Sequence, residues 1–284
     1  MRTIGTQLNL DDAWDSGILG LNEYELRNWG PILRYTAPQA IVESFYREIE
    51  SSLSPFILYG SGDFHYLTAL FIRRLTEPVT IVSFDNHPDW DRRPPRWCCG
   101  GWTRRALANG KVEQIHVWGC GNFELRFPNL LFADHAALRA GRLIPYAWAE
   151  RQDLATQQRF NCITRQNWKD RFSNFTKLLY DKNIYITVDL DCLRAEEAVT
   201  NWENGLFTAS DLAWALSLLN ENTNVIGGDI CGAYSLPRYD RWPQRIAGNW
   251  DHPKIYFPDK ATIRKINRAS VEIIWPALLS GSNV

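Results

Sequence analysis

Short apolar runs alternate along this chain with segments whose apolar residues recur every three or four positions. Residues 55–59, 79–84, 114–119, 183–189 and 223–228 read as buried strands, and 142–146 as a weaker one. Between them, 66–75, 102–109 (ended by Gly110) and 174–180 read as helices. Thr208-Ala209-Ser210-Asp211 matches a capping box, and the helix after it sets Leu212, Leu216 and Leu219 on one face. A long terminal helix is expected over 261–279, interrupted near Pro276. Strands alternating with helices predict an α/β fold with a parallel sheet covered on both faces. In such sheets, sites form at the carboxyl ends of the strands.

Composition narrows the picture. The chain has 284 residues, 45% hydrophobic and 22% charged, without a repeat or a linker-like stretch, so residues 1–284 are expected to form a single domain. The formal net charge of −1 offers no global field for nucleic acid or an anionic membrane, and a small-molecule substrate is the expected partner. No apolar run is long enough to span a bilayer, and the N-terminal residues lack an apolar signal region. Six cysteines without a CxxC pair are expected as free thiols in a reducing, cytoplasmic setting. Homo-oligomerisation is left open. Thirteen tryptophans exceed what packing alone asks for, so some are expected to line a pocket or an interface.

The chemistry concentrates after the second apolar run. Ser83-Phe84-Asp85-Asn86-His87-Pro88-Asp89-Trp90-Asp91 places Asp, His and Asp at alternate positions. In an extended backbone Asp85, His87 and Asp89 share one face, and Pro88 biases His87 towards extended geometry. The run 184–188 also ends in acids, Asp189 and Asp191, separated by Leu190. Two apolar strands ending in acids are better explained by a divalent cation site than by two solvated turns. His65, in Gly60-Ser61-Gly62-Asp63-Phe64-His65, enters at the same sheet edge as a sixth ligand, with Asp63 as the alternative. Four Asp and two His form a hard set suited to Mn, Fe or another divalent ion, with Zn, Co and Ni also compatible. Four carboxylates balance two divalent ions, and two metals roughly 3.5–4 Å apart can share a water and supply a bridging hydroxide.

These motifs, in this order, resemble those of the arginase/agmatinase (ureohydrolase) family of binuclear manganese enzymes, whose fold is shared by the histone deacetylases. Asp85-Asn86-His87-Pro88-Asp89 is similar to the family's Asp-Ala-His-x-Asp, and Val188-Asp189-Leu190-Asp191 to its Asp-x-Asp motif. The stretch 60–65 resembles Gly-Gly-Asp-His with one extra residue, and Asn204-Gly205-Leu206-Phe207-Thr208 resembles Gly-Gly-Leu-Thr. The resemblance covers roughly residues 55 to 235. It implies a three-layer α/β/α sandwich with a mostly parallel sheet of about eight strands. It further implies that Asp85 and Asp189 bridge two metals, that Asp89 and His65 complete one site, and that His87 and Asp191 complete the other.

The departures are specific. Cys192-Leu193-Arg194 stands where the family continues Asp-Pro. Gly232 falls where a glutamate would hold the substrate guanidinium. Cys98-Cys99-Gly100 replaces the proton-shuttling His-Gly pair. Three residues are candidates for catalysis: Asp89, Cys99 and Asp229. Cys99 is an acid/base, nucleophile or soft ligand in one reading and a packed thiol in the other. Asp229 meets a cationic substrate group or hydrogen-bonds a neighbouring loop or ligand. Arg92, Arg93, Arg96, Arg104 and Arg105, interleaved with Trp90, Trp97 and Trp102, form an anion site, a nucleic-acid stacking surface or, more ordinarily, a solvated face. His116 and His135 read as structural, and His252 as part of an aromatic loop capping a pocket.

The leading expectation is a binuclear metal-dependent hydrolase of a non-peptide C–N bond in a guanidino, amidino or amide compound. The alternatives are a single-metal deacetylase-like amidohydrolase and a catalytically silent metal-binding relative.

Overall fold

The computed structural model describes residues 5–93, 97–254 and 258–281. Among the described residues there are eleven strands: β1 (Gly5–Asn9), β2 (Asn22–Glu25), β3 (Thr36–Ala37), β4 (Phe56–Leu58), β5 (Val79–Phe84), β6 (Trp97–Cys98), β7 (Val112–Cys120), β8 (Leu143–Trp148), β9 (Asn161–Ile163), β10 (Asn183–Asp189) and β11 (Asn224–Cys231). Nine of them build one sheet in the order β2-β1-β4-β11-β10-β5-β7-β8-β9, and β3 pairs with β6 apart from it. Every pairing in the large sheet is parallel. The sheet therefore has nine strands where about eight were expected. The strands without an apolar signature are β1, β2 and β9, at or next to the two edges. β2 (NEYE) is largely exposed and β9 (NCI) partly so, and both are held by backbone pairing, whereas β1 (GTQLN) is buried although its sequence is mostly polar.

Alternation along the inner strands sorts side chains between two cores. Ile57, Val79, Ile81, Ile115, Val117 and Tyr185 enter one core, with Val42, Phe45 and Ile49 of the helix Gln39–Ile49 and Trp102 and Ala106 of the helix Trp102–Leu107. Phe56, Leu58, Val82, Phe84, Ile184, Ile186 and Val188 enter the other, beneath the helices Trp168–Leu178, Ala209–Asn222 and Lys260–Leu279. The result is the three-layer α/β/α sandwich.

Three local expectations change. The stretch 66–75 is not one helix: a 3-10 segment (Gly62–Leu67), one α turn (Thr68–Phe71) and a second 3-10 turn (Ile72–Arg74) replace it. The helix expected over 174–180 begins earlier, at Trp168, whose ring is buried. The terminal helix runs through Pro276 without a break. A missing donor at one position is tolerated there because Val271, Ile274, Trp275 and Leu278 are buried in the core on that face.

The strand order positions the chemistry. β10 and β11 are inserted between β4 and β5, so the chains leaving β4, β5 and β10 open on one rim at the centre of the sheet.

Two predictions test this framework. The Thr208 hydroxyl accepts from Asp211 N (3.0 Å) and the Asp211 carboxylate accepts from Thr208 N (3.1 Å). Thr208→Ala is expected to lower unfolding free energy by about 1 kcal/mol in a denaturant titration. His116, buried on β7 against Phe175 (ring centroids 4.6 Å), has its pKa pushed down to about 4 by burial, with the Lys182 charge acting in the same sense. The folded state thus binds this proton more weakly than the unfolded chain. Its contribution is full above pH 6.5, the ordinary histidine value, and is lost as pH falls towards 4. Between pH 7 and 5 the wild type should lose about 2 kcal/mol that His116→Phe does not.

Candidate metal centre

β5 ends at Phe84, and the Asp-His-Asp motif lies beyond it in a loop rather than in an extended strand. The ladder continues for one residue, Asp85 N donating to Trp118 O (3.1 Å). Asp85 Oδ1 then accepts from His87 N (2.7 Å), which turns the chain. Asp89 takes a left-handed backbone (φ 47°), and its carbonyl accepts from both the amide and the hydroxyl of Thr103 (3.3 and 2.7 Å). This fold-back carries the Asp89 carboxylate to His65. The second motif converges by a similar device. Asp189 closes β10, and its Oδ1 accepts from Asp191 N (3.1 Å) at the head of the turn Leu190–Cys192. The expected shared face of an extended strand is thus replaced by two carboxylate-capped turns, because both strands stop before their second acid.

Five of the six side chains meet in two groups that share Asp85, one with His65 and Asp89 and the other with His87 and Asp191; Asp189 meets His65 in a third group, with Cys231. His65 Nδ1 lies 3.2 Å from Asp85 Oδ2, 3.1 Å from Asp89 Oδ2 and 3.5 Å from Asp189 Oδ2. His87 Nδ1 lies 2.8 Å from Asp191 Oδ2 and 3.6 Å from Asp85 Oδ1. All six residues are buried. The His65 tautomer is set from behind. Thr187 donates its hydroxyl to Asp229 (2.7 Å) and so accepts from His65 Nε2–H (3.0 Å), which makes Nδ1 the nitrogen that faces the carboxylates. Asp85 Oδ2 is buried without a hydrogen-bond partner, although His65 Nδ1 is near. A carboxylate oxygen left unpaired between imidazole nitrogens and further carboxylates is the donor arrangement a cation fits.

The electrostatics point the same way. Burial raises Asp189 and drives Asp191 well above the usual carboxylate range, with the neighbouring acids adding to it. Burial and then the Asp85 charge push Asp89 up to about 6. At Asp85, the close imidazoles of His65 and His87 and their charges outweigh burial and hold it at about 2. Burial would lower both histidines, yet their carboxylate partners raise both well above the ordinary value. The cluster retains protons where it lacks positive charge, and divalent cations would displace them.

The remaining candidates separate. Asp63 is turned away: its Oδ2 accepts from Arg34 Nε (2.6 Å) and its Oδ1 pairs with His252 Nε2 (2.7 Å). Burial would raise Asp63, but His252 and Arg34 outweigh it and hold it at about 2. Asp229 stays beneath the site with Tyr185, Thr187 and Thr68 donating to it at 2.7 to 3.0 Å. Of its two readings, the geometry supports the hydrogen-bonding one, buttressing Thr187, and not contact with substrate. Cys99 borders the cavity over the metal-type cluster, but burial and then the charges of Asp63, Cys98 and Asp89 raise its thiol well above the ordinary range. Burial and these charges disfavour the thiolate that the nucleophile reading requires. Trp90, Trp97 and Trp102 are buried and offer no stacking surface, Arg93 is paired with Asp91, and Arg96 lies outside the described residues. His135 opens a short helix, as expected.

Sequence reasoning passed over Cys231, whose Sγ is 3.4 Å from Asp189 Oδ2, and Glu203, whose Oε2 is 3.5 Å from His87 Nε2. Glu203 adjoins the 204–208 stretch, and that adjacency was its only signal. Gly205 explains the stretch: its amide donates to Asp191 O (2.6 Å), and a Cβ there would meet Cys192 O at 2.3 Å. The cavity over the cluster measures about 880 Å³ and is walled by Tyr35, Phe132, Trp202 and Trp250. Trp202 sets its ring edge-on to His87 (5.5 Å) and to His252 (4.8 Å), so the aromatic loop does cap the pocket.

No family model matches the chain. An uncharacterised protein of Thermotoga maritima is 26% identical over 173 residues, which are 61% of this chain and 55% of that protein, so the match spans about half of the relative. Among solved structures, arginase from Bacillus subtilis superposes with a TM-score of 0.54 at 11% identity over the whole of both chains. Formimidoylglutamase from Bacillus subtilis gives 0.53 at 14%, covering 98% of this chain and 86% of that one. Proclavaminate amidino hydrolase from Streptomyces clavuligerus gives 0.52 at 14%, covering 86% and 70%. The fold is therefore that of the arginase-like ureohydrolases, at a level of identity that marks a divergent chain.

Gly232 is held at φ 101°, and a Cβ there would lie 2.2 Å from Asp189 Oδ1 and 2.5 Å from Leu190 N. No side chain fits that position while Asp189 keeps its place. Gly232→Ala is expected to cost about 2 kcal/mol or more of stability and to displace Asp189, read by thermal unfolding together with bound-metal analysis.

Proposed function

We propose that this protein is a metal-dependent hydrolase of a non-peptide C–N bond in a guanidino, amidino or amide small molecule. The observation that carries this reading is the pair of ligand groups sharing Asp85 at the floor of a large cavity. His65 Nδ1, Asp89 and Asp189 would hold one divalent cation, His87 Nδ1 and Asp191 the other, with Asp85 common to both. Two cations held there would lower the pKa of a shared water and supply hydroxide at neutral pH, manganese being favoured by the oxygen-rich set.

The chain's own side chains do the rest. Thr187 and Asp229 keep the His65 ring oriented. Asp89 serves as ligand and as the carboxylate that orients the nucleophile. Trp202, Tyr35 and Phe132 present flat walls to a planar carbon centre and exclude water from it. Cys99 borders that space as an uncharged thiol. The likeness in fold to hydrolases of amidino and formimidoyl compounds supports the same reaction class.

Metal analysis should find two transition-metal ions per chain, and Asp85→Asn should lose both, since one carboxylate serves the two groups. The metal-loaded protein should release urea or ammonia from at least one member of a guanidino, amidino and amide library. A single bound ion would support a deacetylase-like mechanism instead. Two ions without turnover of any compound would support a silent metal-binding relative. Cys99→Ser should keep its metal and change turnover by less than about tenfold, whereas an acid/base role would cost about a hundredfold or more.

A further inference from the structure

The turn after β7 adds to the cavity wall two polar residues, Asn122 and Glu124, that the metal-type cluster does not use. Gly121 N and Asn122 N both donate to Asn86 O (3.0 and 3.3 Å), which ties this turn to the loop carrying His87. Asn122 is buried, and its Oδ1 caps the following turn by accepting from Glu124 N (3.2 Å). That contact assigns the amide orientation and leaves Nδ2 as the inward group. Asn122 Nδ2 and Glu124 Oε2 are each shielded from solvent and have no hydrogen-bond partner in the protein. Both residues line the cavity with His87 and Asp89.

Glu124 is half-buried, but a carboxylate oxygen shielded from solvent without a hydrogen-bond partner is costly, and a native protein retains one where a ligand completes it. Burial pushes the Glu124 carboxyl up to about 8, His87 opposing this and Asp89, Asp91 and Asp85 adding to it. What is missing at this point is a positive group bearing N–H donors. Gly232 cannot take an acid that would serve the cavity, because its Cβ position is filled by Asp189.

Resting on the function proposed above, we propose that Glu124 is the substrate-binding residue of the site. Its carboxylate receives an N–H-bearing organic cation (amidinium, guanidinium or ammonium), and Asn122 Nδ2 donates to a neighbouring acceptor of the same ligand. The preference for a cation over a neutral amide or urea then lies on the β7 turn, beside the ligand loop.

The test uses butylguanidinium and its neutral isostere butylurea, titrated calorimetrically into manganese-treated full-length protein. Wild type should bind the cation at least tenfold more tightly than the urea. Glu124→Gln should erase that preference, leave butylurea affinity and bound metal unchanged, and unfold at the same or a higher temperature, since Oε2 gives up no protein bond. Glu124→Asp, which keeps the charge, should retain part of the preference and serves if the Gln variant fails to fold. An unaltered preference in the variants, or a wild type that does not favour the cation, would overturn the proposal. Loss of metal or of turnover with the Glu124-dependent preference intact would sink the hydrolase reading alone.

Discussion

Asp85 is the constraint on which the site depends. One carboxylate, buried at the end of a central parallel strand, lies against both imidazoles, and one of its oxygens has no protein hydrogen-bond partner. Four carboxylates in so small a buried volume repel one another, and the two histidines offset only part of that repulsion. The surrounding structure holds them together nonetheless. Asp85 and Asp189 each cap a backbone turn, Asp89 is locked by Thr103, and Asp191 is fixed by Asn86 N (3.1 Å) and His87. The arrangement is pre-organised to bind cations, in the sense that the cost of gathering the charges is met by folding.

Support for this cluster comes from two buried polar networks on either side. Beneath it, Asp229 gathers hydroxyls from Tyr185, Thr187 and Thr68, and through Thr187 sets which nitrogen of His65 faces the carboxylates. Beside it, Arg34 pairs with Asp63 and also donates to Ser61 and Ser235, joining the segment before β3, the loop after β4 and the segment after β11. Asp63 in turn receives His252 from the loop that caps the cavity. The two acids that sequence reasoning could not distinguish from functional ones are thus fully used as scaffolding. Each is surrounded by donors and has no capacity left for a ligand.

Much of the architecture was legible along the chain. The inner strands β5, β7, β10 and β11 are buried over most of their length, so their sequences are dominated by apolar residues, and the capping box before Ala209 announced its helix. The edge strands were not legible, because NEYE in β2 and NCI in β9 carry no apolar pattern and exist through pairing with a neighbour. Nor was the 3-10 path over Gly62–Leu67, where tertiary burial of six consecutive residues overrides helical periodicity. His65 against Asp63 was undecidable from spacing alone. Buried Arg34, 29 residues away, makes the difference.

The sequence by itself determined the candidate chemistry: aspartates and histidines gathered after apolar strands, a set whose hardness and charge point to divalent cations whatever the fold. Only the tertiary structure decided how the ligands converge, through a left-handed turn at Asp89 and a carboxylate cap at Asp189 rather than along an extended face. It also decided which remaining acids are free. Asp63 and Asp229 are consumed by buried donors, while Glu124, unmarked in the sequence, stands in the cavity wall with its Oε2 unpartnered. The physical reason is that ligand chemistry is a property of residue type and local spacing. Whether a charge is available depends on partners brought in from distant parts of the chain, and only folding assembles them.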